Sequence, residues 1–189
     1  MNKKVTYKFA LAGVLCALSL ISFLLENLFP PIFIPGARMG ISNLFILLAA
    51  ILCGVWYGAG ALIIKCVLGS VFSGNFSALI YSLPAGIAGY VAEVCAIYLT
   101  KKTSVLSASV LAATLNSAVQ NIMFCAVTGS AAYIVYLPYL TSIGAASGAL
   151  VGFAATIILR RLPIRFFPDD KFRGIKDIYI QEKKQDKTH

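Results

Sequence analysis

Residues 55–73 read VWYGAGALIIKCVLGSVFS, an apolar run long enough to cross a bilayer, with Lys65 close to its middle. A hydrocarbon core needs ~20 apolar residues per helix, and a cation at its centre costs about 2.5–3.5 kcal/mol on insertion scales. That cost falls only if protein or water surrounds the ammonium group. The stretch is therefore expected to form a membrane helix whose lysine faces the inside of a bundle rather than lipid.

The rest of the chain supports a membrane setting. Hydrophobic residues make up 59% of the 189, charged residues only 12%, and mean hydropathy is +0.85, so a polar surface large enough to keep the chain in water is lacking. The length accommodates about six crossings with short connections, and no separate domain. The net charge of +9 does not indicate nucleic acid, because the basic residues gather at the ends and in one loop instead of alternating with aromatics on a polar face. Cys16, Cys53, Cys66, Cys95 and Cys125 lie singly in apolar runs without a C-x-x-C pair, which suits packing. The sequence assigns no metal and no cofactor. Leu15 stands where a lipidated Cys16 would want a small residue, so the first apolar run is read as an uncleaved helix.

Hydropathy and helix breakers predict an all-α bundle with spans at about 9–28, 39–53, 55–73, 77–100, 105–128 and 134–159. The second is short, and the tight Cys53-Gly54-Val55 passage leaves either a helical hairpin or a partly re-entrant element. Residues 1–160 form the expected membrane domain, and 161–189 a basic tail that Pro163 and Pro168 keep from continuing the last helix. Lys3, Lys4 and Lys8 precede span one, Lys101 and Lys102 separate spans four and five, and Arg160, Arg161 and Arg165 open the tail. The intervening loops are almost free of Lys and Arg, which predicts a multi-pass cell-membrane protein with both termini cytoplasmic. Membrane lipid is the expected partner of the tail, through Arg160, Arg161 and Arg165 beside Phe166 and Phe167.

Polar groups inside such a bundle carry the functional information, since each needs a partner in hydrocarbon. At ~1.5 Å per residue, Lys65 lies roughly 15 Å up span three and Glu93 roughly 12 Å above Lys101, close enough in depth to form an intramembrane ion pair. Such a pair either locks two helices or responds to a ligand. Asn116 and Gln120 share one face of span five, with Asn121 adjacent, and can line a pocket or bond neighbouring helices. Glu26, Arg38, Asn43 and Asn75 can extend the same layer, and the candidate small-molecule site is Arg38, Asn43, Asn75, Asn116, Gln120 and Asn121. The Pro30, Pro31 and Pro35 loop suits a cap over it, and Arg38 either binds an anionic group or pairs with Glu26. Gly144, Gly148 and Gly152 at four-residue spacing predict close contact with another helix, either within the chain or of a partner subunit. Ala12, Gly13, Cys16 and Ala17 form a small-residue face on span one, a candidate docking face for a partner.

Three segments carry a family resemblance: PGARMGISNLFILLAAILCG at 35–54, the Lys-bearing third span, and LNSAVQNIMFC at 115–125. Together they resemble the Gx transporter family, also labelled heptaprenyl diphosphate synthase component I. That family is similar in its six-helix plan to the substrate-binding S components of energy-coupling factor (ECF) transporters. The resemblance implies capture of a vitamin-, flavin- or isoprenoid-related solute from outside, and docking of span one onto a transmembrane coupling subunit with two ATPases. Here the docking pattern is Ala12-x-x-x-Cys16 and Gly13-x-x-x-Ala17, not Ala-x-x-x-Ala. It equally implies a non-catalytic place in a heptaprenyl diphosphate, quinone or flavin-based electron-transfer complex. Catalysis by the chain itself is not expected, because Asp169-Asp170 is its single Asp pair and prenyl transfer needs two Asp-rich Mg2+ clusters. ATP drive would come from partners, since no G-x-x-x-x-G-K-[ST] motif is present.

Overall fold

The computed structural model describes residues 3–28, 40–99 and 103–162. They form six α-helices: α1 (Lys3–Leu28), α2 (Ile41–Leu52), α3 (Val55–Phe72), α4 (Ser77–Leu99), α5 (Val105–Thr128) and α6 (Leu137–Arg161). Five segments are long and apolar enough to cross a membrane, and α2 is the short exception. At ~1.5 Å per residue, its 12 residues span only ~18 Å of a hydrocarbon core about 30 Å thick, so α2 starts inside the bundle. Gly54, at φ 124°, makes the tight passage into α3 in a backbone region open to glycine and closed to other residues.

Two boundaries differ from expectation. The sixth span does not run as one helix from residue 134; a short 3-10 segment, Ala131–Tyr136, precedes α6. Pro138 explains the break, since it lacks an N–H and fits only the first turn of a helix. The first helix begins at Lys3 rather than near residue 9, because nothing in KKVTYK stops it. Residues 163–189, which hold nearly all of the expected tail, and the proline-rich loop with Arg38 lie outside the described residues.

Helix order in space follows the chain at α3, α4, α5 and α6, with α5 packed most extensively on α6 and then on α4. The short α2 touches α1, α3 and α6 and so closes the ring from within. The Gly144, Gly148 and Gly152 face meets α5: a Cβ at Gly148 would sit 2.6 Å from the Ser109 carbonyl oxygen, and one at Gly152 2.7 Å from the Leu106 Cα. Close backbone approach within the chain is thus the use of this stripe.

Core and surface are distributed as in a bundle with lipid for solvent. Leu47, Ile51 and Val105 are fully buried near the end of the bundle that holds the α2–α3 and α4–α5 turns. Outward lie large apolar side chains on every long helix, among them Val14, Ile63, Val91, Ile122 and Leu150. Such a continuous apolar exterior suits acyl chains and not water. Buried polar groups run the other way: Ser19, Ser42, Lys65, Ser70, Glu93, Ser109 and Asn121 all point inward.

Candidate functional site

The inward polar groups are organised by the start of α2. Gly40 takes a left-handed backbone conformation as its N-cap, and the Glu26 carboxylate on α1 reaches across to accept from the N–H groups of Gly40 (3.3 Å) and Ser42 (3.1 Å). A carboxylate there satisfies donors that a helix start leaves open and offsets the positive end of the helix dipole. Ser19 donates to the Ser42 carbonyl at 2.9 Å, which fixes the same α1–α2 contact.

Lys65 of α3 is 5% exposed, and its Nζ donates to Asn43 Oδ1 at 2.9 Å and to Ser42 Oγ at 3.5 Å, with the Phe23 ring centroid 5.8 Å away. Its stem lies in the apolar interior while its head meets amide, hydroxyl and ring, the environment its depth demands. Glu93 of α4 is 7% exposed and accepts from Ser109 Oγ on α5 at 2.7 Å. These hydrogen bonds carry the two charges to different helices, Lys65 to α2 and Glu93 to α5. The same α4 helix is tied to the start of α3 by Tyr90, whose hydroxyl donates to the Val55 carbonyl at 2.6 Å.

Between these anchors α2, α3, α4, α5 and α6 enclose a cavity of about 40 Å³. Its polar lining comes from Asn43, Tyr90, Glu93, Ser109, Asn116 and Ser147. Space is left because glycines line it where helices approach: a Cβ on Gly89 would meet the Ala112 carbonyl oxygen at 2.9 Å. By the criterion of roughly 10–15 Å³ per water, the cavity has room for on the order of three waters or a very small solute. Along α5, Ser109 and Asn116 stand seven residues apart on one face, so the polar patch extends ~10 Å through the first half of that helix.

Of the six candidate residues, Asn43 and Asn116 meet at this cavity. Gln120, one turn beyond Asn116, is half-buried but outside the lining. Asn121 turns away: its Nδ2 donates to the Tyr133 carbonyl at 3.3 Å and its Oδ1 accepts from the Cys125 thiol at 3.8 Å, which seats the 3-10 segment on α5. Asn75 sits exposed in the α3–α4 turn, where its backbone N–H closes on the Ser70 carbonyl. Arg38 lies outside the described residues. The small-residue face of α1 divides in two. Ala12 belongs to the core and the Cys16 thiol approaches the Ala61 carbonyl at 3.9 Å, while Gly13 and Ala17 face outward. Residues 12 and 16, one turn apart, share the inner face, so the outward small surface is only Gly13 and Ala17.

Ser109 and Ser147 entered the site without being anticipated. Ser109 could have been found from the i, i+7 stripe it shares with Asn116, and Ser147 from its neighbour Gly148 on the helix-contact face. Glu26 as the cap of α2 carried no local signal, since the two segments are joined by a loop.

An all-α bundle with an apolar exterior and a polar cavity within it defines a multi-pass membrane protein. Its relatives are identifiable: the family model described as heptaprenyl diphosphate synthase component I matches residues 15–158, and the chain belongs to that family. Comparisons with curated proteins and with solved structures gave no match.

Proposed function

We propose that this protein is a membrane-embedded solute-binding subunit of a transport system, resembling an ECF S component, that captures its solute in the cavity between α2, α4, α5 and α6. The observation that carries the reading is the meeting of Asn43, Glu93, Ser109 and Asn116, from three helices, at one cavity deep in an apolar bundle. Glu93 and Asn43 already hold cross-helix hydrogen bonds, to Ser109 and Lys65, yet with Asn116 they also line shared open space, which helix-to-helix bonding alone does not require. Because that space is far below the ~300 Å³ of a typical ligand pocket, a vitamin-sized solute requires the helices to part. A vitamin-, flavin- or isoprenoid-related solute remains the chemistry the family resemblance favours. Lys65 holds the Asn43 wall of the site, and Asn75 and Gln120, which lie outside the lining, would act on the solute's path.

The positive-inside pattern supports cytoplasmic termini in the cell membrane, with Arg160 and Arg161 in the last turn of α6 on the inner side. A partner coupling subunit with two ATPases would supply drive and would meet Gly13 and Ala17 on the outer face of α1. The family's name favours a second reading, a non-catalytic membrane component beside a heptaprenyl diphosphate synthase or a quinone- or flavin-linked redox complex.

Mass spectrometry of small molecules retained by the gently purified protein tests the binding reading. A solute retained by the wild type and lost from an Asn43→Leu, Asn116→Leu double variant is the expected result; identical profiles from the two proteins would refute it. Co-purification then separates the two readings: an energy-coupling module with solute uptake supports transport, and a prenyl synthase or flavoprotein without uptake supports the component role.

A further inference from the structure

The cavity has a definite electrical sense. Among the described residues that line it, Glu93 is the one with a charged side chain. Its Oε1 accepts from Ser109 at 2.7 Å, and in its ionised form, on which the charge preference depends, the carboxylate offers about four acceptor sites and can take further donors from whatever enters. A buried carboxylate is costly without donors, which makes a ligand N–H favourable here and a second anion unfavourable.

The opposite wall presents a donor. An ammonium group has only donors, so the Lys65–Asn43 contact at 2.9 Å requires the amide oxygen to face the lysine. The amide nitrogen is thereby turned the other way, toward Gly40, where it lies 3.5 Å from the position a Cβ would take; Gly40 itself lines the cavity. Lys65 is thus a positioning residue, engaged by α2 and absent from the lining.

The start of a helix commonly attracts anions, and α2 starts beside the cavity. Three of its N–H groups are already committed: Gly40 and Ser42 donate to Glu26, and Asn43 donates to the Gly40 carbonyl at 2.9 Å. The chain's own carboxylate fills the place a ligand anion would take.

We propose that the cavity recognises a small solute by a hydrogen-bond donor, cationic or neutral, set on the Glu93 carboxylate, and by an acceptor of the same solute set on the Asn43 amide N–H, and that it excludes free carboxylates and phosphates. The proposal rests on the solute-binding reading above and narrows its ligand to cationic or uncharged compounds that carry a donor and an acceptor, such as amides, amino alcohols or nitrogen heterocycles.

Saturation-transfer NMR on the full chain in phosphatidylcholine nanodiscs tests it with three probes of similar size: methylammonium, acetamide and acetate. Methylammonium, which has donors only, reads the Glu93 contact alone, and acetamide reads both contacts; both are expected to bind the wild type and acetate not to. Glu93→Gln should weaken methylammonium about tenfold or more while leaving acetamide within about threefold, because the Gln oxygen still accepts from an amide N–H. Acetate binding at least as tight as methylammonium overturns the charge assignment and leaves the solute-binding reading standing. Binding of none of the three overturns the assignment, and the solute-binding reading falls with it only if the retained-solute profiles of wild type and double variant are also identical. Undiminished methylammonium binding by a folded Glu93→Gln protein also overturns the assignment, and the wild-type preference among the probes decides the matter should that variant not fold.

Discussion

Replacing Gly148 with alanine adds a single methyl group at the close α5–α6 joint. The new Cβ would lie 2.6 Å from the Ser109 carbonyl oxygen, 2.7 Å from the Ala113 Cβ and 2.9 Å from the Val110 Cα. Ordinary carbon contacts fall near 3.5–4.0 Å, so α5 and α6 must separate by ~1 Å, and two of the three obstacles are backbone atoms that no rotamer change can move. Overpacking of this kind costs about 1–3 kcal/mol. Alanine also gains roughly 0.5–1 kcal/mol over glycine in a helix interior, which leaves a net loss of about 0–2.5 kcal/mol. Gly13→Ala on α1 supplies the control, because nothing lies within 4 Å of its added Cβ. It should keep the propensity gain alone, so the difference between the two variants isolates the packing cost of ~1–3 kcal/mol. Reversible unfolding in mixed detergent micelles measures that difference. Gly148→Ala should also loosen Ser109 from Glu93, and therefore the cavity wall. Equal stabilities for the two variants, within about 0.5 kcal/mol, would refute the close α5–α6 contact.

Three further outcomes follow from the same geometry. Asn43→Leu removes the shorter of the two hydrogen bonds from the Lys65 ammonium to α2 and should cost about 1.5–3 kcal/mol, whereas adding Lys65→Met restores much of the loss; a double-mutant cycle with negligible coupling would contradict the contact. Glu26→Ala removes the acceptor of the Gly40 and Ser42 N–H groups at the start of α2, with an expected loss of about 1–2 kcal/mol and faster hydrogen exchange at those two amides specifically. Ser104, whose hydroxyl accepts from the Leu106 N–H at 3.2 Å, caps α5; Ser104→Ala should lower stability by ~1 kcal/mol and leave probe binding at the cavity unchanged, as read by the same unfolding and NMR measurements.

The sequence by itself determined that the chain is a bundle of membrane helices, because a run such as 55–73 is too apolar for water and Lys65 too polar for lipid. It also located α4 and α5 closely, since glycine, serine and charge punctuate both ends of each. Local chemistry is enough for those features. What it could not determine is which polar groups meet. Asn116 and Asn121 are five residues apart and alike in composition, yet one lines the cavity and the other bonds the Tyr133 carbonyl, a difference of helix rotation that only packing against α4 and α6 sets. Lys65 and Glu93 match in depth, but the start of α2 inside the bundle brings Asn43 and Ser42 to the lysine, and the close α5–α6 joint sets Ser109 opposite the glutamate. Depth along a helix is a one-dimensional property that residue counting supplies. Azimuth and neighbour are properties of the assembled bundle, fixed by where small residues let backbones approach, and they decided the site.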